Sequence, residues 1–231
     1  MSYKHIFFDL DRTLWDFDKN SEETLLELYD EFDLNELTDV PAPQFVIEYQ
    51  TINERLWADY RAGTIGKEEL RSSRFKQAFD HIEIEDHGLA DRFGEVYLSV
   101  CPLKTKLIDG ADELLGELHE KYDLHLITNG FEETQHIKIK AAAIGHFFDE
   151  IITSEAAGAR KPDPKIFELA LNRSGAHLKD SLMIGDDHEA DIQGAQRFGM
   201  DQVHYAPSEE EHASSNATYV VRDLNEIRNF L

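Results

Sequence analysis

The strongest constraint on this chain is a recurrence of short apolar runs that stop abruptly at polar residues. The first, Tyr3-Lys4-His5-Ile6-Phe7-Phe8-Asp9, is rich in aromatics and ends in an acid, which predicts a buried strand. Similar runs follow at Leu124-His125-Leu126-Ile127, Ile151-Ile152, Leu182-Met183-Ile184 and Val203-His204-Tyr205. Between them, residues 110–121, 132–143, 164–173 and 189–198 space their apolar side chains by three and four, the signature of amphipathic helices. Strands that alternate with helices predict an α/β fold: a Rossmann-like parallel sheet covered on both faces, with right-handed crossovers.

One region breaks the alternation. From about Asp16 to Pro102 there is no strand pattern, while residues 21–32, 43–61, 67–81 and 87–101 each read as an amphipathic helix, the first with Ser21 and Thr24 as a capping signal. The expected organisation is an α/β core from residues 1–15 and 104–231, with an all-helical domain inserted at 16–103. The acidic run from Ser208 to His212 and the following Ala213 to Asn216 read as a solvated loop.

Composition narrows the functional classes. The formal net charge is −24, so the basic footprint that a nucleic acid polymer requires is absent, and an anionic membrane surface would repel the chain. A small anion is still a reasonable ligand if a metal or fixed cations reverse the field locally. Cys101 is the single cysteine, which rules out a disulfide within the chain and fits a reducing, cytoplasmic setting. Among Val100, Pro102 and Leu103 it reads as a small buried hydrophobe. No run has membrane-spanning length and no leader pattern opens the chain.

In an open parallel sheet, ligands bind beyond the carboxyl ends of the strands, so the residues that follow each run matter most. The first strand delivers Asp9 and Asp11, two carboxylates on one side of extended chain; they would repel unless a cation or a proton intervenes. One could ligate a hard divalent ion and attack phosphorus while the other moves protons. The second delivers Thr128-Asn129-Gly130 ahead of a helix, suited either to seating a phosphate or simply to capping. Lys161 lies in a proline-stiffened loop, Arg160-Lys161-Pro162-Asp163-Pro164, and is either an ordinary solvated lysine or a fixed cation beside a phosphate. The fourth delivers Gly185-Asp186-Asp187-His188-Glu189-Ala190-Asp191, where acids suit magnesium and His188 reads as peripheral. Each fragment has an ordinary structural explanation; four in this order, all at strand ends, point to one site.

In these residues the chain resembles the haloacid dehalogenase-like hydrolases, whose four motifs match Asp9 to Thr13, Thr128, Lys161 before Pro162, and Gly185-Asp186 with Asp191. The resemblance implies an inserted helical cap that opens for substrate and closes to exclude water. It also implies a set of roles. Asp9 would be the nucleophile and form an aspartyl-phosphate; Asp11 would be general acid and then base. Thr128 with the amides of Asn129 and Gly130 would hold phosphoryl oxygens, and Lys161 would steady Asp9 and the transferred group. Mg2+ would be bound by Asp9, the backbone carbonyl of Asp11 and Asp186, with Asp191 and Asp187 orienting the shell. An acid at Asp11 implies phosphate-ester hydrolysis rather than dehalogenation, since an alkoxide leaves with a proton and a halide does not. Arg12 and Asp187 depart from the glycine and the hydroxyl residue common at those positions.

Residues 53–65, 127–131 and 161–167 further resemble the pyrimidine 5'-nucleotidase branch. That implies a nucleoside monophosphate as partner, a specificity loop at Tyr60 to Ile65 with Arg71 and Arg74 nearby, and Trp15 or Phe131 available to stack on a base. The chain is expected to be a monomer or homodimer. Two other readings stand beside it: a phosphatase for sugar phosphates or phosphoglycolate, and a receiver-like protein that accepts a phosphoryl group without turnover.

Overall fold

The computed structural model describes residues 3–231. Strand β1 (His5–Phe8) is followed by four helices, α1 (Phe17–Glu31), α2 (Ala42–Ala62), α3 (Lys67–His81) and α4 (His87–Val100). The alternating part comes next: α5 (Ala111–His119), β2 (Asp123–Thr128), α6 (Glu132–Ala141), β3 (Glu150–Thr153), α7 (Ser154–Ala157), α8 (Pro164–Ser174) and β4 (Ser181–Gly185). A π-helical segment, His188–Gln193, leads into α9 (Gly194–Phe198), β5 (Asp201–Tyr205), α10 (Glu209–Ser214) and β6 (Tyr219–Val221). By contact the chain divides into two compact units: one runs to Phe17 and resumes from Thr105 to Leu231, the other is Asp18–Lys104.

The first unit is built on a six-stranded sheet in the order β3-β2-β1-β4-β5-β6 with every pairing parallel. Phe8 lies opposite Leu126 on one side and Ile184 on the other. Connections run outward from β1 to β3 and then return to the far side of β1 at β4. The crevice at that reversal, beside the end of β1, is where such sheets bind ligands. Phe7, Ile127, Ile152 and Met183 present one face of the sheet to Ile166, Phe167 and Ala170 of α8 and to Ala195 and Met200, all buried. Both strips that lead to and from the helical segment are tied to each other at the sheet: Asp16 N–H donates to Lys106 O at 3.0 Å, and Ile108 N–H to Leu14 O at 2.9 Å.

The second unit has a core of its own. Phe93 meets Phe45 and Phe79 edge-on, with ring centroids 5.7 and 5.4 Å apart, and Phe75 tilted at 5.4 Å. Helix α2 stops at Gly63, whose φ of 75° a side chain would disfavour. Cys101 is buried and free.

Three sequence expectations need correction. Helix α1 starts at Phe17, so Ser21 and Thr24 lie inside it rather than capping it. Both hydroxyls are buried, Ser21 Oγ 2.7 Å from Tyr97 Oη and Thr24 Oγ1 donating to Asn20 O at 2.8 Å. The acidic stretch read as a loop forms α10, because Ser208 and Glu211 close a reciprocal capping box. Strand β6 was not foreseen; it has only three residues. Among the described residues no helix is long and apolar enough to cross a membrane.

Candidate active site

The end of β1 continues its ladder one step, with Asp9 N–H donating to Ile184 O at 2.8 Å. The chain then folds tightly: Arg12 N–H reaches Trp15 O at 2.8 Å and Arg12 takes a φ of 65°. This left-handed position explains why glycine suits it and why Arg12 occupies it at some strain.

Asp9 is buried, and its Oδ1 accepts from Lys161 Nζ at 2.5 Å. The same ammonium lies 2.7 Å from Asp191 Oδ1 and donates to Ile127 O at 2.7 Å. Lys161 is only 1% exposed, which sets aside the solvated-lysine reading. Asn129 holds its loop in place: Asn129 Nδ2 donates to Lys161 O at 2.9 Å and Lys161 N–H to Asn129 Oδ1 at 2.8 Å. Asp191 is also fixed by Asp187 N–H, which donates to its Oδ2 at 3.1 Å. Gly185 makes room for that carboxylate, since a Cβ there would fall 2.2 Å from Asp191 Oδ2.

Asp186 completes a cluster. One carboxylate oxygen from each of Asp9, Asp186 and Asp191 lies within 4.8 Å of the others. Thr13 Oγ1 donates to Asp186 Oδ1 at 3.1 Å, and His204 Nε2 sits 2.9 Å from Asp186 O. Burial raises the pKa of all three acids; Lys161 opposes the shift at Asp9 and Asp191, and Asp191 reaches about 7. At Asp186, Asp9 and Asp191 push in the same direction as burial, to well above the carboxylate range. For Lys161, burial pulls the pKa down, but Asp191 and Asp9 outweigh it and the net shift is upward. Lys161 pairs with Asp9 and Asp191, and Arg12 offsets part of the charge at the half-buried Asp186, yet burial and mutual repulsion still raise all three acids. An all-oxygen donor set of this kind fits a hard divalent cation.

Asp11 is placed differently. Its carboxylate lies outside that acid cluster and is held by α6: Gln135 Nε2 donates to Oδ2 at 2.8 Å and Lys138 Nζ to Oδ1 at 2.5 Å. Gln135 Nε2 also donates to Thr128 Oγ1 at 2.9 Å, so one amide joins Asp11 to Thr128. Thr128 is not the cap of α6, whose first N–H is taken by Glu155 Oε2 at 2.7 Å. Gly130 N–H donates to Thr128 Oγ1 at 3.1 Å; the amide expected to meet a phosphoryl oxygen is turned onto the hydroxyl instead. Asp187 Oδ1 accepts from Glu189 and Ala190 N–H and so caps the π-helical segment. His188 Nε2 lies 3.3 Å from Asn216 Oδ1.

Gln135 and Lys138 escaped the sequence reading. Both are buried, and Lys138 Nζ lies 4.2 Å from the Trp15 ring centroid and 5.5 Å from that of Phe17. The available signal was their i, i+3 spacing on a predicted helix, which puts two polar side chains on one face. Trp15 itself is wholly buried beneath Lys138 and Phe131 is 4% exposed, so neither ring offers a free face for stacking on a base.

Comparison with known proteins identifies the family. A family model described as haloacid dehalogenase-like hydrolase matches residues 3–199. The pyrimidine 5'-nucleotidase PynA of Streptococcus pneumoniae is 33% identical over 98% of this chain and 94% of its own length. The pyrimidine 5'-nucleotidase YjjG of Escherichia coli is 30% identical over 100% and 99% respectively. A ribulose-1,5-bisphosphate 5-phosphatase of Halopiger xanaduensis is 31% identical over 92% and 88%. Among solved structures, the HAD-hydrolase YfnB of Bacillus subtilis, bound to magnesium, superposes with a TM-score of 0.87 at 29% identity, covering 100% of this chain and 99% of that one.

Proposed function

The chain belongs to the haloacid dehalogenase-like hydrolases, and from that premise we propose that it is a magnesium-dependent phosphomonoesterase acting through Asp9, with pyrimidine nucleoside monophosphates as substrates. The observation that carries this reading is the Asp9 carboxylate, buried at the end of β1 and held by Lys161 beside two further acids, with a second, separately held carboxylate two residues on.

In the first half-reaction an Asp9 oxygen forms a bond to phosphorus as the bond to the ester oxygen breaks. Asp11 delivers its proton to that departing oxygen. In the second, Asp11, now a carboxylate, takes a proton from water as the water oxygen bonds to the same phosphorus. The acyl-phosphate bond breaks, inorganic phosphate departs and Asp9 is restored. Thr128 and Lys161 hold phosphoryl oxygens in line throughout, since phosphoryl transfer demands charge neutralisation and positioning more than new covalent chemistry. Asp9 and Asp186 would hold Mg2+ together with the Asp11 carbonyl, and Asp191 would orient the shell. When bound, the ion supplies charge neutralisation at the phosphoryl oxygens.

The choice of nucleotide rests on full-length similarity to PynA and YjjG and on the resemblance over residues 53–65. The second reading, a sugar-phosphate phosphatase, is supported by similarity to the ribulose-1,5-bisphosphate 5-phosphatase. A panel of phosphate monoesters with Mg2+ separates the two. Preference for uridine or thymidine monophosphate supports the nucleotidase, and preference for sugar phosphates supports the other. Loss of turnover in Asp9→Asn supports the nucleophile assignment; retained turnover in that variant rejects the mechanism.

A further inference from the structure

We infer that Gln135 and Lys138 are positioning residues, which fix the Asp11 carboxylate and leave the Thr128 hydroxyl only a proton to offer. This inference deepens the phosphomonoesterase reading and rests on it. Asp11 Oδ1 and Oδ2 are each taken by a separate donor, Lys138 Nζ at 2.5 Å and Gln135 Nε2 at 2.8 Å, so the carboxylate has one orientation rather than a free torsion. Lys138 has little freedom itself: it is 5% exposed and lies over the Trp15 ring, and its ammonium would be costly to bury if Asp11 were elsewhere.

The second consequence concerns Thr128. A hydroxyl carries two lone pairs and one proton. Gln135 Nε2 at 2.9 Å and Gly130 N–H at 3.1 Å both donate to Thr128 Oγ1 and occupy its accepting capacity. What remains is the proton, which suits a group that must meet an anionic phosphoryl oxygen. Gln135 therefore couples the group that moves protons to the group that seats phosphate. Packing alone does not account for it, because its Oε1 is buried without a hydrogen-bond partner, a desolvation cost a leucine would avoid.

The two residues separate in their kinetics. Among the described residues, the site group that Lys138 hydrogen-bonds is Asp11. With p-nitrophenyl phosphate, whose leaving group departs without a proton, the phosphoenzyme should form at the wild-type rate in Lys138→Met. Its breakdown, which needs Asp11 as base, should slow by roughly tenfold to a hundredfold, since small misplacement of a catalytic group has effects of that size. A burst of p-nitrophenolate should therefore precede a slow steady state. With a nucleoside monophosphate, kcat should fall and KM should change by less than about twofold, the signature of an interaction realised only in the transition state. In an Asp11→Asn background, Lys138→Met should slow breakdown no further. Gln135→Met should slow formation as well, because Thr128 is affected.

Equal slowing of formation and breakdown in Lys138→Met, or additive losses with Asp11→Asn, would overturn the inference. If Lys138→Met does not fold, Lys138→Gln keeps a donor without the charge and carries the same test. Failure of the underlying reading looks different: the wild-type chain would hydrolyse no monoester, or Asp9→Asn would stay active, and the positioning role would fall with it.

Discussion

Gly130 and the side chain of Gln135 compete for one space: a Cβ built on Gly130 would lie 1.6 Å from Gln135 Nε2. The glycine is required here for close approach and not for an unusual φ. Gly130→Ala should push the Gln135 amide off both Asp11 and Thr128. We expect kcat to drop by roughly tenfold to a hundredfold and stability to fall by about 1–3 kcal/mol from overpacking. Adding Gln135→Ala should recover stability without recovering kcat. Recovery of both would mean that Gln135 has no bearing on turnover.

Lys161 is the counter-charge for two buried acids, Asp9 and Asp191. Lys161→Met keeps most of the packing but leaves both carboxylates unpaired. Removing one member of a buried pair costs about 3–5 kcal/mol, and chemical denaturation at neutral pH should show a loss of that order together with loss of turnover. Lys161 lowers the Asp191 pKa, so in the variant Asp191 takes up its proton above pH 7, and the penalty should be largest at alkaline pH and shrink as pH falls towards 7. A penalty that does not shrink from pH 9 to pH 7 would contradict this account.

Much of the sheet unit was legible because strands buried on both faces have to be apolar throughout, and their polar ends mark where the chain leaves the core. Asp9, Thr128 and Asp186 stand at the ends of such runs, while Lys161 comes after the short α7 that follows β3. What escaped was set by tertiary contact. Residues 132–143 read as an amphipathic helix, and only the fold reveals that Gln135 and Lys138 face Asp11. Ser21 and Thr24 carry the residue types of an N-cap, and no local signal separates a capping hydroxyl from one buried against Tyr97. Strand β6 was too short to show a period, and α10 was hidden by the charge of its three glutamates.

His125 gives the fold an acid sensitivity unrelated to the site. It is buried on β2 against the Phe7 ring, its Nε2 lies 3.2 Å from His5 Nδ1, and Asp123 and Asp149 are the acids near it. Burial, reinforced by His5, lowers its pKa to about 4 against the acids. A depressed histidine takes up its proton more readily in the unfolded chain, so its contribution to stability falls as pH drops from about 6.5 towards 4 and is flat above. The shift bounds the loss at about 3 kcal/mol, and solvent screening reduces it to about 1–2 kcal/mol. Melting curves of wild type and His125→Gln should diverge in that window only; parallel curves from pH 7.5 to pH 4 would remove His125 as the cause.

The acid cluster gives the opposite sign in an overlapping window. Asp186 and Asp191 have raised pKa values in the folded chain, Asp191 to about 7, so metal-free protein contains stability that is present at lower pH and lost as pH rises through about 7. In a His125→Gln background, which removes the opposing histidine, the metal-free melting temperature should rise as pH falls from about 7 towards 4. A divalent ion substitutes for those protons. Mg2+ at a hundredfold excess over its dissociation constant contributes about 2.7 kcal/mol, or about 5–10 °C for a chain of this size. Saturation should also flatten the pH dependence, because ligating carboxylates stay ionised. Asp186→Asn removes one of the three acids, so its metal-free form should melt higher than wild type and gain little from Mg2+. Equal stabilisation of Asp186→Asn and wild type by Mg2+ would move the ion away from Asp186.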